Sequence, residues 1–183
     1  MKRGLENALD EYLVLLAQAG QIEAFGRLAA RWTPKLLTFA ARSTGTTEAA
    51  KDAVQEAWTA ALRGIARLDD PARFPAWIYA ITARKCADTL RTKYRGQALA
   101  NELERIAAPE ATVAPDFDAR LDLAAALKRL PPEQRIAVAL LYGEDMSVAE
   151  ISAITGVPIG TVKSRLSAAR QALRTFMEGD DNE

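Results

Sequence analysis

Histidine is absent from this sequence and cysteine occurs once. A single Cys forms no internal disulfide, and without His or a second Cys there is no tetrahedral zinc set and no His-based nucleophilic triad. Most enzyme readings therefore start weak; the expectation is no catalytic residue, no metal, no cofactor and no enzymatic activity. Long apolar runs are also lacking: the longest, Ile136 to Tyr142, has seven residues, too few to cross a bilayer. The opening MKRGLENALDEY puts charges where a secretory signal needs its apolar stretch. The expectation is a cytoplasmic protein with no membrane insertion. Aromatics are sparse at 7%, while 49% apolar and 26% charged residues over 183 positions suit one domain or two small ones.

The net charge is zero, yet the charge is distributed in blocks. Residues 1–95 carry 15 basic and 10 acidic side chains, and residues 96–126 carry 2 and 6. Residues 127–177 carry 7 basic against 4 acidic, and residues 178–183 add 4 acids and no base. Two basic modules meeting something anionic, joined and ended by acidic segments, fit this alternation.

Apolar residues recur with helical spacing nearly throughout, and no segment alternates as a strand does. Leu5, Leu9, Tyr12, Leu13 and Leu16 mark a first helix face. Ile22, Phe25, Leu28, Ala29, Trp32 and Leu36 mark a second, interrupted by Pro34, which predicts either a kink or a new helix capped by Thr33. A third follows the turn at Gly45, with Ala50, Val54, Ala57, Trp58, Ala61, Leu62 and Ile65 on one side, and a fourth spans about Pro75 to Arg95. From Gly96 to Asp118 the pattern weakens, Pro109 and Pro115 appear and acids dominate, as in a linker, although Leu99, Leu103 and Ile106 fit one short amphipathic helix. Periodicity returns at Leu123, stops at Pro131-Pro132 and resumes through EQRIAVALLY. The reading is an all-α fold of two small helical domains joined by a flexible linker: residues 1–95, a linker at 96–118, residues 119–177 with a helix-turn-helix, and an acidic tail at 178–183.

The C-terminal SVAEISAITGVPIGTVKSRLSAARQALRTF carries that last motif. Ser147 with Glu150 three residues on is a capping box, Gly156 supplies a turn, and Pro158 opens a helix with Ile159, Val162, Leu166, Ala169, Leu173 and Phe176 at alternating spacings. Thr161, Lys163, Ser164, Arg165 and Ser167 lie off that stripe, and Lys163, Arg165, Arg170 and Arg174 are four bases with no acid. Such a helix fits a major groove, its N-terminal half against base edges and its cations against phosphates. The fourth helix is the other basic element: Arg84, Lys85, Arg91, Lys93 and Arg95 stand against Asp88 alone, interleaved with Trp77, Tyr79 and Tyr94. Cations mixed with aromatics suit single-stranded DNA, though Trp77 is equally well explained as core.

Taken in order, AGQIEAFGRL, KDAVQEAWTAAL, RFPAWIYAITARKCADTLR and LPPEQRIAVALLYGEDMSVAEISAITGVPIGTVKSRLSAAR resemble bacterial RNA polymerase sigma factors of the extracytoplasmic-function type, from about Gln18 to Phe176. The resemblance implies a sigma region 2-like domain that grips the β′ clamp of core RNA polymerase and the −10 element, and a region 4-like domain that reads the −35 element beside the β flap. It assigns core-polymerase binding to Asp52, Gln55 and Glu56. It assigns −10 DNA binding to Arg73, Trp77, Arg84, Lys85 and Arg91, and −35 DNA binding to Thr161, Lys163, Ser164, Arg165 and Ser167. The implied function is promoter-specific transcription initiation under control of an anti-sigma factor. This chain departs from the family pattern at Pro75, Ala80 and Ala168, where the family is often basic, and at Lys85, where it commonly has Asn. A sigma-like decoy that binds an anti-sigma factor without reading DNA is the alternative.

Overall fold

The computed structural model describes residues 2–104 and 119–179, and among them there are helices and turns but no strands. Helix α1 spans Lys2–Gln18, α2 Ile22–Thr44, α3 Thr47–Gly64 and α4 Phe74–Glu104; two short 3-10 turns, Ile65–Arg67 and Pro71–Arg73, join α3 to α4. Then follow α5 Ala119–Arg129, α6 Pro132–Val138, a π-helical turn Ala139–Gly143, α7 Val148–Thr155 and α8 Ile159–Gly179.

The N-terminal helices close around an aromatic centre. Trp32 of α2 meets Phe74 and Tyr79 edge-on, with ring centroids 5.7 and 6.1 Å away, and Phe39 meets Tyr79 at 5.5 Å. Leu13, Val14, Leu28, Leu36 and Ile78 fill the space around them and exclude water completely. At about 1.5–3 kcal/mol for each fully buried large apolar side chain, this cluster is the principal stabilising contribution here. Asp10 is buried beside it, and its charge is met by Arg31 Nε at 2.8 Å and Trp32 Nε1 at 3.1 Å, which ties α1 to α2.

Four expectations are corrected. Of the two expectations at Pro34, the new helix capped by Thr33 is overturned: α2 is continuous through Pro34, with Phe25, Leu28, Trp32, Leu36 and Phe39 buried on both sides, so packing outweighs the missing N–H. Helix α1 buries Leu13 and Val14 and packs Leu9 and Leu16 against the core, whereas Leu5 and Tyr12, at the edges of the expected stripe, are 79% and 57% exposed. Ile159 is 48% exposed at the start of α8, ahead of the buried Val162, Leu166 and Ala169. Helix α4 runs to Glu104, past Gly96; one glycine costs a helix about 1 kcal/mol, and QALANELE supplies good helix formers after it. The rest of the expected linker, from residue 105, and most of the acidic tail lie outside the described residues.

The two helical units share one apolar core. Helices α6 and α7 pack on α4, and the π-helical turn packs on α2. Ile136, Leu140, Ile151 and Ile154 belong to the same buried cluster as Phe39, Tyr79, Ala83 and Ala87. Gly143 lets Arg42 approach closely at this seam: a Cβ there would lie 2.8 Å from Arg42 Nη1, which donates to the Gly143 carbonyl at 2.6 Å, and would make that side chain shift.

Candidate functional site

The helix-turn-helix is built as its local chemistry dictates. Ser147 Oγ accepts from the Glu150 N–H at 3.2 Å, and the Glu150 carboxylate accepts from the Ser147 N–H at 2.8 Å. The Ser147 side chain and backbone, by donating to the Glu150 carboxylate, hold it below its ordinary range. Gly156 adopts φ +70, left-handed backbone that an L side chain resists, and the chain turns there into α8. Pro158 precedes α8, and its carbonyl accepts from Thr161 and Val162. With Val162, Leu166 and Ala169 held inward, Lys163, Ser164 and Ser167 stand exposed, followed by Arg170 and Arg174 on the same helix. Thr161 is half-buried, and its carbonyl accepts from Ser164 Oγ at 2.9 Å.

Arg165 is separated from that exposed group. It is half-buried and lines a groove of about 350 Å³ between the two units, opposite Arg84 and Arg91 of α4. Asp88 and Glu133 are the carboxylates in this groove, and both are taken by Arg91, at 3.2 and 2.7 Å. Burial pushes the Glu133 carboxyl up, but the hydrogen bond from Arg91, a backbone hydrogen bond and the charges of Arg91 and Arg165 outweigh it and hold the group below its ordinary range. The structure thus gathers three guanidinium groups, expected to serve two different DNA elements, around one narrow cleft.

The remaining residues of α4 and its approach divide further. Arg73 is exposed at the end of the Pro71–Arg73 turn, and Trp77, one helical turn on, is half-buried against Phe74 with centroids 6.0 Å apart. The Trp77 ring lies under Gly64, where a Cβ would come within 3.2 Å of it, so this indole is part core and part surface. Lys85 points toward α3 and not toward the groove: its Nζ donates to Glu56 Oε2 at 2.9 Å. Asp52, Gln55 and Glu56 are all exposed on α3. Gln55 also borders an open, largely apolar groove of about 490 Å³ with Phe25, Leu37, Val54, Trp58 and Leu62. A polar helix face beside such a groove is suited to another protein more than to DNA.

Sequence reasoning missed the polar contacts at the seam between the units. Glu144 accepts from Tyr79 Oη at 2.6 Å and from Arg42 Nη1 at 3.0 Å, with its side chain only 13% exposed. Burial, then the hydrogen bond to Glu144 and that group's charge, raise the Tyr79 phenol, with Arg42 opposing. Arg135, also buried, donates to the Lys128 and Leu130 carbonyls and reaches Ser43 O and Thr44 O at the C-terminal end of α2, where a cation is favoured. Partners across the seam lie 65 to 102 positions apart and leave no local signal; the one available hint was an arginine set directly before an apolar run.

Two family models match the chain in order: Sigma-70 region 2 over residues 28–96 and Sigma-70, region 4 over residues 120–173. The chain is similar to the ECF RNA polymerase sigma factor SigM of Mycobacterium tuberculosis H37Rv, 32% identical over 95% of this chain and 87% of that protein. It is also similar to the ECF RNA polymerase sigma factor SigE of Mycolicibacterium smegmatis, 34% identical over 81% of this chain, although it spans only 60% of that protein's length. Among solved structures, CnrH in complex with the cytosolic domain of CnrY superposes with a TM-score of 0.66 at 30% identity, covering 94% of this chain and 99% of that one. The sigma factor RpoE bound to the anti-sigma factor NepR from Bartonella quintana gives 0.62 at 25% identity, covering 84% and 96%.

Proposed function

Because the chain belongs to the ECF, or extracytoplasmic-function, RNA polymerase sigma factors, we propose that it binds core RNA polymerase, directs initiation at a particular set of promoters, and is held in check by an anti-sigma factor. The family consists of initiation factors that are not enzymes. The observation that carries this reading is the pairing in one chain of a helix-turn-helix, whose second helix exposes Lys163, Ser164 and Ser167, with an α3 face of Asp52, Gln55 and Glu56 beside an apolar groove. The first suits a major groove and the second a protein surface. The related complexes of CnrH with CnrY and of RpoE with NepR support control by a partner protein. Among the described residues no helix is long and apolar enough to cross a membrane, in keeping with a site of action in the cytoplasm.

In this reading Arg73 and Trp77 meet the opened −10 strand with Arg84, Lys85 and Arg91, while α8 reads the −35 element through Thr161, Lys163, Ser164, Arg165 and Ser167. Arg84 and Arg91 are exposed, whereas Arg165 is half-buried against the other unit, so reading of the −35 element through Arg165 calls for the units to part at this cleft. Run-off transcription with purified core polymerase on a pool of genomic fragments tests the reading. Discrete start sites, lost with Asp52→Ala/Glu56→Ala, are expected. No initiation by the folded chain transfers the assignment to the decoy that binds an anti-sigma factor only.

A further inference from the structure

The residue assigned to polymerase and the residue assigned to DNA are one ion pair: Lys85 Nζ lies 2.9 Å from Glu56 Oε2, and no other ion pair of either side chain occurs among the described residues. The pair bridges two helices packed along their lengths, α3 and α4. The Lys85 side chain is 29% exposed and that of Glu56 65%, so the ammonium is partly sheltered and the carboxylate is open to a second cation. We propose that Glu56 is a positioning residue for DNA binding: in the free chain it neutralises Lys85, and when a cationic side chain of the polymerase takes the Glu56 carboxylate, Lys85 is released to a phosphate of the −10 strand. The inference rests on the sigma-factor reading above and adds to it a coupling between the two binding faces.

The physical argument is competition for one carboxylate. An ammonium already paired with a carboxylate gives up that interaction before it pairs with a phosphate. A cationic partner on Glu56 removes that cost, and linkage requires the converse, that DNA on Lys85 strengthens polymerase binding by the same factor. Exposed ion pairs of this kind correspond to roughly 1.4- to 5-fold in an equilibrium constant. That range is the size of the expected coupling. It acts on top of any change in overall charge, which falls off within about 10 Å at moderate salt and does not depend on Lys85.

The test is a cycle on the full chain, read by fluorescence anisotropy with a short fluorescein-labelled single-stranded oligonucleotide across a salt series. Glu56→Gln is expected to tighten binding by about 1.4- to 5-fold and to steepen the dependence of log affinity on log salt by about 0.7, the increment for one more phosphate contact on a single strand. In the Lys85→Met background the same substitution is expected to give no more than the net-charge gain of Glu48→Gln and to leave the salt slope unchanged. Glu48→Gln removes an exposed acid from the same helix without touching Lys85 and reports the effect of net charge alone. A gain in Glu56→Gln that survives Lys85→Met undiminished, a gain no larger than that of Glu48→Gln, or no gain at all overturns the coupling. Thermal melts of each variant exclude unfolding as the source of any difference. Binding of the unaltered chain to core polymerase, measured separately, tells the two failures apart. If that binding is present without the oligonucleotide gain, only the coupling falls; if it is absent, the sigma reading falls whatever the cycle shows.

Discussion

Replacing Glu144 with Gln should shift the two helical units toward the undocked state without unfolding either. The carboxylate accepts from Tyr79 Oη at 2.6 Å on one oxygen and from Arg42 Nη1 at 3.0 Å on the other. Gln keeps the shape but loses the charge, and its NH2 group cannot accept from a guanidinium, so one charge-assisted hydrogen bond disappears and the other weakens. Hydrogen bonds to charged groups contribute about 1.5–3 kcal/mol each. Arg42 is 50% exposed, so water screens its share, and we take about 2 kcal/mol for the whole substitution. That corresponds to roughly a 30-fold shift of the docking equilibrium toward separated units. The assay is single-molecule energy transfer between dyes on Gln21→Cys and Ala168→Cys, both on exposed positions of different units. The natural Cys86 stays in place: it is fully buried, and burial pushes its thiol up to about 12, so it does not compete for a maleimide at neutral pH. Glu144→Gln should raise the population of the low-transfer state roughly 30-fold over that of the unaltered protein. Tyr79→Phe should act in the same direction, and the double variant should fall short of the sum because the two residues share one interaction. An unchanged transfer distribution in Glu144→Gln would show that the shared apolar core alone holds the units together.

The Glu133–Arg91 pair predicts a pH dependence of the same docking equilibrium. A carboxyl held below its ordinary value of 4.5 contributes above that value and loses its contribution as pH falls through its lowered value, so dye transfer should decline in acid and the decline should be smaller in Glu133→Gln. Ser147→Ala removes the side-chain half of the capping box and should destabilise the helix-turn-helix by about 1 kcal/mol, seen as a lower melting temperature. Within α8, Lys163→Ala should relax sequence preference, while Arg170→Ala should weaken all promoters alike and lower the salt slope by about 0.9. Equal losses on every promoter for both would remove Lys163 as a base reader.

How legible the molecule was depended on the range of the interaction. The capping box at Ser147 and Glu150 and the left-handed Gly156 are decided by neighbours in sequence, and the helix-turn-helix was readable from them. The buried stripe Val162, Leu166 and Ala169 followed from periodicity, yet the same rule misplaced Ile159, because the first turn of a helix need not touch what its middle touches. On α1, leucines occur on a wide arc, and periodicity alone does not say which part of it α2 covers; Leu5 and Tyr12 were placed inside and lie outside. The basic and polar residues of α4 and α8 stood out by type and spacing, and the resemblance assigned their roles and added Arg73. Their grouping was not legible: Lys85 facing Glu56 and Arg165 facing Arg84 depend on how α3 and α8 are set against α4, which only the assembled core determines.

The single core shared by both units changes the molecularity of their contact. Ile136, Leu140 and Ile151 face Tyr79, Ala83 and Ala87 across a seam whose two sides are joined only through residues 105–118. In the intact chain their docking is first-order and independent of concentration. Expressed as two polypeptides, the halves would each present a bare apolar strip, and meeting would become second-order. Dilution would then separate them, while concentrated solutions would favour either faithful reassembly or pairing between like halves.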